Sequence, residues 1–259
     1  MMDLSEPQTT TRTCPRHGDF EARVFTIAGR TIASGCRACA AEADQRDAER
    51  QKRDAATRAA ARIEALLSRS GIPPRFQDRD FDGYRAADAD QARALRIARS
   101  YADQWPEMRR RGTCLIFSGE PGTGKTHLAC AIANAVIRQG SAALFITVGD
   151  AMRSIKRAYD RDAGISEASA IDTLVGPDLL ILDEVGADYG TEHSKTLLFD
   201  LLNKRYEQVC PTIILTNLDA AALREYFGER VMDRLREDGG RFVPFTWESY
   251  RAKRKENLQ

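Results

Sequence analysis

From residue 113 onward, short apolar runs alternate with longer stretches in which apolar side chains recur every three or four positions. The runs near 113–118, 142–148, 178–183, 211–216 and 241–245 predict β-strands. The stretches near 88–105, 125–138, 150–160, 191–208, 219–226 and 229–237 predict helices. Strands alternating with helices predict an α/β fold, a parallel sheet sandwiched by helices. Leu179-Leu180-Ile181-Leu182 is apolar without interruption, as suits a central strand covered on both faces.

Ahead of residue 72 the pattern changes. Residues 44–69 are rich in Ala, Arg, Glu and Asp, lack Gly and Pro, and predict a polar helix. Ser70-Gly71 stops it, and Pro73-Pro74 lies just beyond. Residues before it have too few apolar side chains to fold unaided, but they carry Cys14-x-x-His17 and Cys36-x-x-Cys39. Four ligands at paired short spacing predict a tetrahedral, structural Zn²⁺ site that supplies the missing stability. Glu21 to Ile27 partly alternates and Ala28-Gly29-Arg30 reads as a turn, so a hairpin brings the two pairs together. Three regions result: a zinc-binding module at 1–43, a helical connector at 44–71 and an α/β domain at 72–259.

Within the α/β domain, Gly119-Glu120-Pro121-Gly122-Thr123-Gly124-Lys125-Thr126 follows the first apolar strand and opens an amphipathic helix. That is the context of a phosphate-binding loop. The glycines let backbone N–H groups converge on phosphate, and the helix N-terminus adds a favourable dipole. Lys125 offers a charge for the β- and γ-phosphates of a nucleoside triphosphate, and Thr126 a hydroxyl for Mg²⁺. His127 adjoins the same loop, without a partner in the sequence that would make it catalytic. Asp183-Glu184 ends the apolar strand 179–182, at the sheet edge where open α/β folds bind ligands. Asp183 suits Mg²⁺, and Glu184 suits deprotonation of an attacking water.

Composition narrows the class further. The 259 residues are 42% hydrophobic and 30% charged with a net charge of only +1, so overall charge does not argue for nucleic acid. No apolar run reaches the roughly 18 residues of a membrane span, and the N-terminus lacks the apolar core of a secretory signal. A cytoplasmic protein is expected. Its six cysteines are then thiols or metal ligands rather than disulfides, and Cys114, Cys130 and Cys210 read as small hydrophobes. Arg153, Lys156, Arg157 and Arg161 share one helical face, while Met152, Ile155 and Tyr159 take another that reads as core. Such a basic face is either a phosphate-tracking surface or merely solvated.

The strand 212–215 ends in Thr216-Asn217, and the chain then reads Gly228-Glu229-Arg230-Val231-Met232-Asp233-Arg234-Leu235-Arg236 and Phe245-Thr246-Trp247-Glu248-Ser249-Tyr250-Arg251. Phosphate loop, paired carboxylates and polar strand end resemble the AAA+ ATPases. The two later phrases closely resemble the DnaC-like helicase loaders, over about 70–251. The resemblance implies an ATPase that loads a replicative, DnaB-like helicase onto single-stranded DNA, assembling with ATP and releasing on hydrolysis. It makes Asn217 the sensor I residue and Arg234 the arginine finger that reaches a neighbouring subunit, with Arg230 as the other candidate. Arg251 stands where the family carries a sensor II arginine, although no full C-terminal lid follows. It also places Arg153, Lys156, Arg157 and Arg161 in the segment that lines a single-strand channel. The Cys/His module departs from the DnaC pattern and looks more like zinc-bearing phage and prophage replication proteins, and somewhat like DnaI. An IstB-like transposition helper shares the ATPase core and is the alternative. A small-molecule kinase would need a lid and an acceptor-binding insertion, neither of which is evident.

Overall fold

A computed structural model describes residues 8–27, 30–157, 167–187 and 192–250. The chain divides into two compact units, 1–61 and 62–259. In the first, β1 (Gln8–Cys14), β2 (Gly18–Ile27) and β3 (Arg30–Ala33) form an antiparallel sheet with β2 in the middle. The expected hairpin is β2–β3; residues 28 and 29 of its turn lie outside the described residues. The residue pattern carries no sign of β1, because Gln8-Thr9-Thr10-Thr11-Arg12 shows no apolar alternation. It forms by pairing with β2, from Gln8 opposite Val24 to Cys14 opposite Gly18.

Helix α1 (Arg37–Arg69) begins before Asp44, the start that composition suggests, and so takes in Cys39 and Glu42. None of its residues is fully buried. Its first part is polar on every side and carries exposed charge pairs such as Asp47–Arg50 at 3.0 Å, whereas Ile63, Leu66 and Leu67 in its last turns pack against the apolar core of the second unit.

The second unit continues with α2 (Ala89–Asp103), α3 (Trp105–Arg111), β4 (Leu115–Gly119), α4 (Lys125–Arg138), β5 (Ala143–Thr147), α5 (Val148–Arg157) and α6 (Glu167–Val175). Then come β6 (Leu179–Val185), α7 (Glu192–Glu207), β7 (Thr212–Thr216), α8 (Ala220–Phe227), α9 (Glu229–Arg236) and β8 (Arg241–Phe245). The five strands are parallel, in the order β5-β6-β7-β4-β8. Thus β7 lies between the strand that leads into the phosphate loop and the strand that carries the carboxylates.

Strand residues alternate between two cores. Leu115, Phe117, Leu179, Ile181, Ile213 and Leu215 pack with Ala98, Trp105, Leu128 and Ile132. Ile116, Leu180, Leu182 and Ile214 pack with Ile155, Leu174, Leu198 and Met232. Both faces are covered, which is why these strands read as unbroken apolar runs.

Two helices escape the sequence pattern. Pro106 looks like a breaker, yet it sits in the first turn of α3, where its missing N–H costs nothing. Helix α6 is a nine-residue segment with a narrow apolar stripe. Its C-terminal carbonyls are closed by a cation the pattern does not reveal. Arg205 is fully buried and donates to the carbonyls of Leu174, Val175, Pro177 and Pro211 and to Thr212 Oγ1. Burial lowers its pKa to about 10, and five acceptors offset the desolvation of its charge. Among the described residues no helix is long and apolar enough to cross a membrane.

Candidate functional site

The loop 119–124 turns from β4 into the N-terminus of α4 at Lys125. Gly119 pairs with Phe245, and a Cβ there would run into the Phe245 carbonyl. Gly124 has φ 99° and lies against Tyr84, whose Cε2 would be 2.8 Å from an added Cβ. Close approach and positive φ both require glycine here. The loop is fastened from outside: Trp247 Nε1 donates to the Thr123 carbonyl at 2.8 Å, and the Tyr250 N–H to that of Gly122 at 3.0 Å. Within the loop, Thr123 Oγ1 donates to the Glu120 carbonyl at 2.8 Å. Pro121 occupies the turn between Glu120 and Gly122.

Lys125 is largely buried. Its ammonium donates to the carbonyls of Gly119 and Glu120 and to Asn217 Oδ1, the last at 3.0 Å. Thr126 Oγ1 lies 3.3 Å from Asp183 Oδ2. Five of the expected site residues, Lys125, Thr126, Asp183, Glu184 and Asn217, therefore meet at one edge of the sheet. Strand order is the reason, because β7 carries Asn217 into the space between β4 and β6. Burial, joined by the charge of Glu184, raises the Asp183 carboxyl above its usual range. A divalent cation held by Thr126 and Asp183 would offset that burial.

Glu184 is the outlier of this edge. It has φ 60°, and the β6–β7 register slips between Leu182 and Val185. Its N–H leaves the ladder and donates to Asp183 Oδ1 at 2.8 Å. Left-handed backbone at a non-glycine residue marks a functional site often enough to be informative. Here the bulge leaves the Glu184 side chain exposed at the sheet edge.

His127 does not face the loop. Its Nε2 lies 2.9 Å from the Asp80 carbonyl, and its ring meets Tyr84 edge-on with centroids 5.5 Å apart. Burial lowers its pKa. It supports Tyr84, a residue beside the loop that sequence reasoning misses, because only the fold brings 80–84 to Gly124. Arg251 lies outside the described residues.

Arg234 sits on α9 at the opposite end of the sheet. It lines a cavity of about 230 Å³ with Gly112, Cys114 and Thr212, which precede or begin β4 and β7. The five residues of β4, about 16 Å at the usual rise, separate it from its own phosphate loop. Its guanidinium donates to Asn203 Oδ1 and lies 4.8 Å from the Tyr206 ring centroid. Both of these partners are neutral, while the carboxylates of Glu207, Glu237 and Asp238 line the same cavity. Arg230, one turn earlier, is exposed.

The first unit holds the other site. The ligand atoms of Cys14, His17, Cys36 and Cys39 all lie within 4.8 Å of one another. His17 Nδ1 is 3.7, 3.7 and 3.3 Å from the sulfurs of Cys14, Cys36 and Cys39, and Cys14 Sγ is 3.5 Å from Cys39 Sγ. A tetrahedron with Zn–S of about 2.3 Å has S···S edges of about 3.8 Å, so the donor set fits that ion. Backbone hydrogen bonding at Arg16 and the nearby His17 lower the Cys14 thiol to about 6, whereas Cys14 raises Cys39 to about 11. Sequence reasoning misses Glu42. Its Oε1 lies 2.9 Å from His17 Nε2, leaving Nδ1 to face the sulfurs, and Arg16 pairs with its other oxygen at 2.9 Å. A carboxylate behind a ligating histidine fixes its tautomer.

On α5, Ala151, Met152 and Ile155 are buried and Arg153 and Lys156 exposed, as expected. Arg153 is ion-paired with Asp150. The side chain of Arg157, with Tyr159 and Arg161, lies outside the described residues.

The family described as IstB-like ATP binding protein matches residues 47–258. The replicative helicase loader DnaC of Escherichia coli strain K12 is 36% identical over 211 residues, covering 78% of this chain and 84% of the loader. An uncharacterized protein of the same strain, YdaV, is 38% identical over 190 residues, covering 73% of this chain and 75% of its own. A crystal structure of the DnaC helicase loader superposes with a TM-score of 0.59 at 25% identity, covering 66% of this chain and 99% of that one.

Proposed function

Because the chain belongs to the family of IstB-like ATP-binding proteins and DnaC helicase loaders, we propose that it loads a replicative DNA helicase onto single-stranded DNA by binding and hydrolysing ATP. The likeness to DnaC across 84% of that loader's length carries this reading, and favours loading over transposition. The meeting of Lys125, Thr126, Asp183, Glu184 and Asn217 at one sheet edge supplies the means.

In this scheme the N–H groups of Gly122 to Thr126 and the start of α4 receive the phosphates of ATP. Lys125 offsets their charge, exchanging neutral oxygens for anionic ones. Thr126 and Asp183 hold Mg²⁺, which when bound neutralises charge on the β- and γ-phosphate oxygens. Glu184 takes the proton of the attacking water, and Asn217, already beside Lys125, orients the γ-phosphate. Arg234 is too far from its own loop and acts on a neighbouring subunit's phosphate. Hydrolysis thus depends on assembly. Arg153 and Lys156, with Arg157 and Arg161, contact single-strand phosphates without reading bases. Cys14, His17, Cys36 and Cys39 hold a structural Zn²⁺ that lets the first unit, the helicase-binding module, fold.

Purified chain is expected to carry about one Zn²⁺ per molecule and to be retained by the immobilised replicative helicase of its own organism. Joint replacement Cys36→Ser and Cys39→Ser should remove both the metal and the retention. Zinc-free wild-type protein would sink the metal assignment, and failure of the helicase to retain wild-type chain would sink the loader assignment.

A further inference from the structure

The bulge at Asp183-Glu184 interrupts the pairing of β6 with β7 after Leu182 opposite Ile214, and the register resumes with Val185 opposite Thr216. At that point a side chain joins the two strands. Thr216 is buried, and its Oγ1 donates to the Val185 carbonyl at 2.7 Å while accepting from the Leu218 N–H at 3.0 Å. One hydroxyl therefore joins the residue after Glu184 to the residue after Asn217. Leu218 is held a second time from β4, since Ser118 Oγ donates to its carbonyl at 2.5 Å. Ser118 is also the register partner of Thr216. The Leu218 side chain lies against Gly186, where a Cβ would overlap it.

We infer that the Thr216 hydroxyl, backed by Ser118, is a positioning device that holds Glu184 and Asn217 in fixed relation to each other across the β6 bulge. This rests on the ATPase reading above. Neither hydroxyl touches the place of the phosphates, so neither is a catalytic group. Their work follows from geometry. Glu184 stands on left-handed backbone that its neighbours must enforce. Asn217 is exposed at the end of a strand; its side chain meets Lys125, and its backbone takes its position from the residues on either side. A hydroxyl that accepts from one loop and donates to the other removes the independent motion of both. Proton transfer and water positioning are sensitive to displacements of about 1 Å. Nucleotide binding, which uses the loop 119–124 and Lys125, is not.

Thr216→Val removes the hydroxyl at nearly constant shape, and Thr216→Ser keeps it. Three quantities decide the matter: affinity for a fluorescent ATP analogue, ATP turnover, and melting temperature. Thr216→Val should bind the analogue within about 2-fold of wild type while kcat falls about 10-fold or more. Thr216→Ser should recover most of the rate, and Ser118→Ala should lower kcat in the same direction by less. Normal kcat in Thr216→Val would overturn the inference. So would equal loss of rate and melting temperature in the Ser and Val variants, since that is a packing effect. The ATPase reading is tested separately by comparing wild type with Lys125→Ala. If both are equally inert, that reading fails, and amide exchange at Leu218 then judges the brace alone. Faster exchange in Thr216→Val than in wild type and Thr216→Ser supports it; equal exchange overturns it.

Discussion

Arg234→Ala is expected to lower ATP turnover by about 10³-fold or more, the range in which arginine fingers act, with nucleotide affinity nearly unchanged. The affinity is spared because the phosphate loop and Arg234 occupy opposite ends of the sheet. The rate would be lost because, in the proposed scheme, the Arg234 guanidinium, which rests on Asn203 and Tyr206 in the single chain, stabilises the phosphoryl group bound by the next subunit. Mixing supplies the decisive observation. Combined with Glu184→Gln, the Arg234→Ala variant contributes an intact carboxylate, and its partner contributes an intact arginine. Some interfaces in the mixed assembly then hold both, and turnover should partly recover as subunits exchange. If no mixture recovers activity, and Arg234→Ala is equally defective at every protein concentration, the arginine belongs to a solvated helix face.

Glu184→Gln is expected to retain ATP binding and to lower kcat by about 10²–10⁴-fold, the usual contribution of a positioned general base. The carboxamide matches the carboxylate in shape but cannot accept a proton from water. Binding should persist because, in the proposed scheme, the phosphates are received by 119–126 and not by Glu184 on β6. A titration with a fluorescent nucleotide and a phosphate-release assay separate the two. Wild-type phosphate release by the Gln variant would place the base elsewhere, with Asp183 the nearest carboxylate.

Features written in consecutive residues are legible in the sequence alone. Gly119 to Thr126 and Leu179 to Glu184 specify their own local geometry, and continuous apolar runs mark the five parallel strands. Asn217 is legible too, by resemblance, and strand order explains why: β7 must lie between β4 and β6 for the polar strand end to reach Lys125. What stays hidden depends on distant segments meeting. Arg205 looks like any helix-surface arginine until α6 and the segments before β6 and β7 close around it. Tyr84 gains meaning only against Gly124, and Glu42 only behind His17. Thr216 reads as an ordinary β-branched strand residue, since nothing in Thr212 to Thr216 announces a bulge in another strand. The Cys14, His17, Cys36 and Cys39 pattern is legible, but β1 is not. A sheet that a bound metal would hold has little need of the apolar alternation by which strands are recognised.

Loading itself is the most direct test of the central claim. The replicative helicase of the same organism is incubated with circular single-stranded DNA, ATP and this chain. Helicase bound to the circles is then counted after gel filtration, with Lys125→Ala as the control. The account predicts that wild-type chain raises DNA-bound helicase many-fold over helicase alone, and that Lys125→Ala does not. Equal amounts of bound helicase with and without wild-type chain would contradict it.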